Sequence, residues 1–318
     1  MRARNRLVPA CFAALLAVLP ARAQAPDAPP VYPDETLVEE LVVVARYGGP
    51  AFWRVEDADT VVYVLGTPSL APKRMQWDRS QFERRLKGAN EVILPAAGNT
   101  VKLKGVPAAA VAYLRLRSST PFEERLDPET RARFAAARES LGQPAKAYGT
   151  SHPLAAAILM INHYRDRHEL TDQDPNKLVR ELARQAGVRV RSKSYDLGPL
   201  LMRVANISQP SAQVCLDETL DQVRAGPGRT LAATRAWAEG DVPGALTNER
   251  ILERCLAVAP GAAAHDARIK ADQAQMIAEA LQRPGHAIAL VQLRPLLSQG
   301  GVLDRLRSQG FVVKTPGE

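Results

Sequence analysis

The feature that most constrains how this 318-residue chain can fold is the run Val61-Val62-Tyr63-Val64-Leu65, which stops abruptly in Gly66-Thr67-Pro68-Ser69. β-Branched and aromatic residues at this density favour a strand. Gly66 then permits a turn conformation, and Thr67 suits the cap of the next element. A second continuous apolar stretch, Ala287 to Leu293, lies near the other end of the chain. Continuous rather than alternating apolar character marks a strand covered on both faces. Trp53-Arg54-Val55 and Thr60 to Leu65 flank the acidic turn Glu56-Asp57-Ala58-Asp59 and read as a hairpin. Together these runs predict an α/β fold whose central mixed sheet is built from both chain ends.

Between the ends, helical signals dominate from about residue 107 to 281. Pro128, Pro153 and Pro175 each stand where a helix opens, a position at which the missing N–H costs nothing. Ala263 to Leu281 reads as a long Ala-rich helix, and Val188-Arg189-Val190-Arg191-Ser192 alternates as a strand should. Asp78 with Gln81 has the capping pattern of a helix through Phe82 and Leu86, ended by Gly88 and followed by the strand Val92-Ile93-Leu94. Leu41-Val42-Val43-Val44 reads as a first strand, with a short helix over Glu35 to Ala45 as the alternative. Gly301 to Ser308 reads as a helix closed by Gly310, with Phe311-Val312-Val313 as a last short strand. No internal repeat is present.

The segments Ala51-Phe52-Trp53-Arg54-Val55, Val61 to Ser69 and Gly301-Val302-Leu303-Asp304-Arg305-Leu306 resemble the TraB/GumN family, whose hallmark is a strand followed by Gly-Thr-x-His. The resemblance implies an EreA/ChaN-like arrangement over residues 34–318. It also implies a histidine at the first strand end, a carboxylate after the next strand and a second histidine near the C-terminus. In the animal TIKI proteases that share the domain these groups are proposed metal ligands, the types a hydrolytic divalent metal needs. Here the matching positions hold Ser69, Pro95 and Pro295. No metal site, catalytic residue or cofactor is therefore expected. The candidate ligand contacts are Gly66, Thr67, Ser69, Arg250 and Arg294, Arg250 matching part of an Arg-Asn pair that the family often shows.

Other residues invite chemistry less. Ser69 lies outside a Gly-x-Ser-x-Gly elbow, and no histidine is placed beside it by sequence. His163 and His168 are five residues apart, the wrong spacing for a metal pair on one helix face. The histidines read as surface or turn residues, with His286 at the start of the last long strand, away from the site. Arg250 reads first as a solvated helix arginine, and Asp174 as a helix cap.

Residues 1–23 carry Arg2, Arg4 and Arg6, an apolar run from Ala10 to Leu19, and Ala21-Arg22-Ala23, the pattern of a secretory signal peptide cleaved after Ala23. A lipoprotein site at Cys11 is the alternative. Gln24 to Pro33 is a Pro/Ala-rich leader with too little apolar surface to order itself. The apolar run is too short for a stable membrane span. Four of the arginines behind the formal charge of +8 lie in the signal segment, leaving an excess of about +4 on the remainder. That modest excess, without a basic run interleaved with aromatics, gives no reason to invoke nucleic acid.

After cleavage two cysteines remain, Cys215 and Cys255, an even pair that reads as a disulfide in a periplasmic or secreted protein and otherwise as two buried thiols. Three functions stay open. The chain is a non-catalytic pseudoenzyme binding or scaffolding an unknown protein, a metal-dependent hydrolase or peptidase with a rearranged site, or a carrier of a small molecule or peptide in the cleft at Gly66-Thr67 and Arg294.

Overall fold

Strands β1 (Phe52–Glu56) and β2 (Thr60–Thr67) form an antiparallel hairpin in which Trp53 faces Val64 and Val55 faces Val62. Its turn is set by Asp57, whose carboxylate accepts the Thr60 N–H at 2.9 Å and the Asp59 N–H at 3.3 Å. This is the side-chain mimicry of a backbone turn that makes Asp a turn former. A computed structural model describes residues 36–45, 48–95, 99–100, 106–196 and 207–318. The signal segment, Cys11 and the Pro/Ala leader lie outside the described residues.

The remaining strands are β3 (Ala71–Pro72), β4 (Glu91–Ile93), β5 (Asn99–Thr100), β6 (Leu170–Thr171), β7 (Arg189–Arg191), β8 (Tyr195–Asp196), β9 (Gly285–Gln292) and β10 (Val312–Lys314). Six of them form one mixed sheet in the order β10-β1-β2-β9-β4-β7. β2 and β9 are parallel over their full length, from Thr60 opposite Gly285 to Thr67 opposite Gln292. The two ends of the chain thus meet at the centre of the sheet. β9 buries Ala287, Ile288, Ala289, Leu290 and Val291 in succession. Because successive side chains point to opposite faces, this requires cover on both sides. Helices Ser80–Leu86 and Ala262–Leu281 pack against β9, and Val302–Ser308 packs on the latter.

The helical middle has a core of its own, around Phe134, Tyr148, Leu154, Met160, Tyr164 and Leu216. The Phe134 ring lies 5.6 Å from that of Phe122 and 5.1 Å from that of Tyr148, in the tilted and edge-on geometries that ring quadrupoles favour. Asp127 caps helix Pro128–Ser140 by accepting the Glu129 and Thr130 N–H groups. Cys215, on helix Gln209–Ala225, and Cys255, on helix Ile251–Ala257, are disulfide-bonded with Cα atoms 5.3 Å apart. Among the described residues no helix is long and apolar enough to cross a membrane.

The structure corrects four local expectations. Leu41–Val44 is not a strand. Glu39–Leu41 is a single 3-10 turn, and Val44 makes only an isolated bridge to Asp241. β10 already occupies the edge of β1, so the segment's backbone is satisfied piecemeal, Val38 N–H by the Leu297 carbonyl and Ala45 N–H by that of Gly240. The helix at residue 80 lacks the expected reciprocal cap, because the Gln81 amide turns away to donate to the Gly48 carbonyl at 2.9 Å. Asp174 does not cap helix Asn176–Gln185; its carboxylate accepts the Arg74 N–H at 2.6 Å, a hundred residues away in sequence. The histidines are not all at the surface, since His152 is buried with its ring nitrogen 3.3 Å from the Ile207 carbonyl.

Candidate functional site

Parallel pairing of β2 with β9 carries two chain segments to the same end of the sheet. Gly66 lies opposite Val291 and Thr67 opposite Gln292, and beyond them Pro68-Ser69 and Arg294-Pro295 line one small cavity. This is the carboxyl end of the parallel strands, where open α/β sheets place their ligands. Asn248, Arg250 and Glu253 close it from the helical middle.

Each candidate residue has a definite place here. Gly66 packs where nothing larger fits, since a Cβ there would stand 2.8 Å from the Trp53 ring and closer still to the Leu293 side chain. Its carbonyl accepts the Trp237 indole N–H at 2.6 Å. Thr67 is fully buried, and its hydroxyl has no hydrogen-bond partner among the described residues. Ser69 is half-buried on the cavity wall. Arg294 opens the short helix Leu293–Leu297 and donates to the Leu246 carbonyl at 2.7 Å.

Arg250 is not a solvated helix arginine. It stands at the N-cap of Ile251–Ala257 with its side chain only 11% exposed, 3.1 Å from the Glu253 carboxylate. Packing between helix start and sheet end buries most of it. Beside it the Asn248 amide donates to the Leu70 carbonyl at 2.8 Å, tying this turn to the segment that leaves β2.

The chemistry open to these groups is narrow. A guanidinium carries donors only and stays protonated, a proline side chain offers no donor atom, and Ser69 contributes one hydroxyl. Glu253 is the single carboxylate on the wall, and none of the five histidines lines it. Pro95 follows β4 without a side-chain ligand to offer. Among the described residues no three His, Cys, Asp or Glu side chains group closely enough to hold a metal ion. The cavity measures about 20 Å³, space for a water molecule and not for a peptide.

The histidines are spent elsewhere. His163 lies 2.9 Å from the Tyr148 hydroxyl, His168 stacks edge-on against Tyr164, and His286 donates to the Arg85 carbonyl at the opposite end of β9. Sequence reasoning missed Asn248, Glu253 and Trp237. Trp237 and Glu253 lie in helices of ordinary composition and Asn248 in the bend just before the second of these, and nothing local marks them as neighbours of Gly66 and Ser69.

Residues 51–315 match the family model described as the TraB/PrgY/gumN family. No curated protein and no solved structure matches the chain.

Proposed function

The chain belongs to the TraB/PrgY/gumN family, and we propose that it is an exported member that binds or scaffolds rather than catalyses. The observation that carries this reading is the cavity at the ends of β2 and β9. Its wall supplies Ser69 and Pro295 where the family resemblance asks for histidines, and its arginines are engaged, Arg250 with Glu253 and Arg294 with the Leu246 carbonyl. A hydrolytic metal centre needs imidazole or carboxylate ligands and an open coordination position that admits substrate. A space of about 20 Å³ without imidazole, whose single carboxylate, Glu253, is paired with Arg250, offers too few ligands and no room for substrate.

Export rests on the leader, with its arginines, short apolar run and Ala21-Arg22-Ala23, and the bonded cysteine pair suits an oxidising compartment. N-terminal sequencing of protein recovered from the periplasm is expected to begin at Gln24. Elemental analysis after mild dialysis is expected to find no stoichiometric divalent metal. About one tightly held Mn, Co or Zn per chain, lost in a Ser69→Ala, Arg294→Ala double variant, would overturn the non-catalytic reading in favour of a hydrolase with a rearranged site.

A further inference from the structure

A far larger cavity than the one at the strand ends lies elsewhere. It measures about 780 Å³ and lies between the segment that follows β3 and the start of helix Asn176–Gln185, sharing no wall residue with the strand-end cavity. That volume falls in the range of small-molecule sites. Its wall is apolar on Met75, Trp77 and Leu178 and cationic on Lys73, Arg74 and Lys177.

The charge is not balanced within the cleft. Two carboxylates also line it, fewer than the cations: Asp174, which accepts the Arg74 backbone N–H and keeps its charge, and Glu181, which pairs with the Arg184 guanidinium at 2.7 Å. Among the described residues the side chains of Lys73, Arg74 and Lys177 have no acidic partner. A fourth cation on the wall, Arg79, faces Glu83 at a loose 3.6 Å. Like charges gathered around one concavity raise its potential and favour an anion.

The cationic segment is also held in place. Its base is the β3–β6 pair, Ala71 opposite Thr171 and Pro72 opposite Leu170. Lys73 N–H donates to the Glu169 carbonyl at 2.7 Å, and Arg74 sits at φ 59°, a left-handed conformation that costs a non-glycine residue about 1–2 kcal/mol. The bond to Asp174 maintains it. A strained, non-glycine residue fixed on a cavity wall is what a preorganised binding site contains. No side chain caps helix Asn176–Gln185, so its positive end adds to the field of Lys177 at the same mouth. On the apolar wall Trp77 is braced edge-on by Phe82, 6.2 Å away, and Trp237, 5.5 Å away.

We propose that this cleft binds a soluble organic phosphate ester with a flat apolar body, the phosphate held by Lys73, Arg74 and Lys177 and the body laid against Trp77 and Met75. This holds whether or not the strand ends catalyse. The test is titration of the mature protein with 1-naphthyl phosphate, followed by calorimetry and tryptophan fluorescence. Saturable binding is expected, with 1-naphthol and inorganic phosphate each at least about tenfold weaker because each retains only half of the contacts.

Affinity should fall with added salt, and a Lys73→Glu, Lys177→Glu double variant that melts like the parent should bind at least about tenfold more weakly. Trp77→Phe should remove most of the fluorescence change while leaving binding measurable. The proposal is overturned by an absence of saturable binding at millimolar ligand, by a folded double variant that binds as well as the parent, or by 1-naphthol binding as tightly as its phosphate.

Discussion

The Trp237 indole N–H donates to the Gly66 carbonyl across 2.6 Å, with both residues buried. Trp237 belongs to helix Gly228–Ala238 in the helical middle, and Gly66 to the last turn of the central strand, so one bond joins the two halves of the fold beside the strand-end cavity. The same indole braces Trp77 on the wall of the larger cleft. Replacing it with phenylalanine leaves the Gly66 carbonyl buried without a donor, a cost of about 1–3 kcal/mol. Trp237→Phe is therefore expected to lower denaturant stability by that amount, measured by urea unfolding, and to loosen Trp77 as reported by its fluorescence.

Gly66 itself is constrained by contact rather than by backbone angle. A methyl group there would press on the Trp53 ring and the Leu293 side chain, both fully or nearly fully buried, and neither can retreat without opening the core. Gly66→Ala is expected to destabilise by about 1–3 kcal/mol, the range for overpacking a filled site. A melting temperature equal to that of the parent would show that the strand end has room to give.

Glu91, 1% exposed at the start of β4, is paired with Arg191 at 3.0 Å and with Arg283. The two arginines are not equivalent. Arg191 is 20% exposed and also donates to the Met276 carbonyl and to Glu279, whereas Arg283 is 46% exposed. Losing the more buried partner leaves more uncompensated charge. Arg191→Met should cost about 3 kcal/mol and Arg283→Met about 1 kcal/mol or less, by denaturant unfolding. Equal costs would mean that the carboxylate does not depend on Arg191.

The two central strands from the chain's ends were legible because Ala287–Val291 is apolar over successive residues, as a strand covered on both faces requires, and Val61–Leu65 is β-branched and aromatic at high density, although Val61 and Tyr63 are only half-buried. Ser69, Pro95 and Pro295 were legible as residue types, and their correspondence to the family's ligand positions rests on the resemblance alone. The larger cleft was not. Its two walls are joined by a β3–β6 pair of two residues each, far below the length at which alternation carries a signal, and its geometry depends on Arg74 meeting Asp174 across a hundred positions. Asp174 before a helix reads as a cap, and only the tertiary contact shows which N–H its carboxylate takes. Leu41–Val44 misled for a related reason, since β-branched residues favour a strand only when a sheet edge is free to receive them.

Cys215 and Cys255 close a loop of 40 residues between two helices of the second core. In the chain-entropy account such a link stabilises the folded state by about 3–4 kcal/mol, mainly by restricting the unfolded chain. Thiol labelling of the denatured, unreduced mature protein is expected to find no free cysteine, and reduction should lower the melting temperature. Two readily alkylated thiols in periplasmic protein would refute the link in the cell.

Glu249 gives the fold a pH dependence of definite sign. The residue is 8% exposed beside the strand-end cavity, and burial pushes its carboxyl up to about 7 despite the opposing influence of Arg165, Tyr164 and Arg229, with Glu253 adding to the rise. In the unfolded chain the group titrates near its ordinary 4.5. Between those values the folded chain holds a proton that the unfolded chain has released, so stability falls as pH rises through that window and levels off above it. The stabilisation is complete below the unfolded value and lost by the folded one, with an upper limit of about 3 kcal/mol. Glu249→Gln removes this dependence. Relative to the parent, the variant should gain stability on going from about pH 4.5 to about pH 8, read from urea midpoints at matched ionic strength. A constant difference between the two proteins across that range would show that Glu249 keeps an ordinary titration in the folded chain.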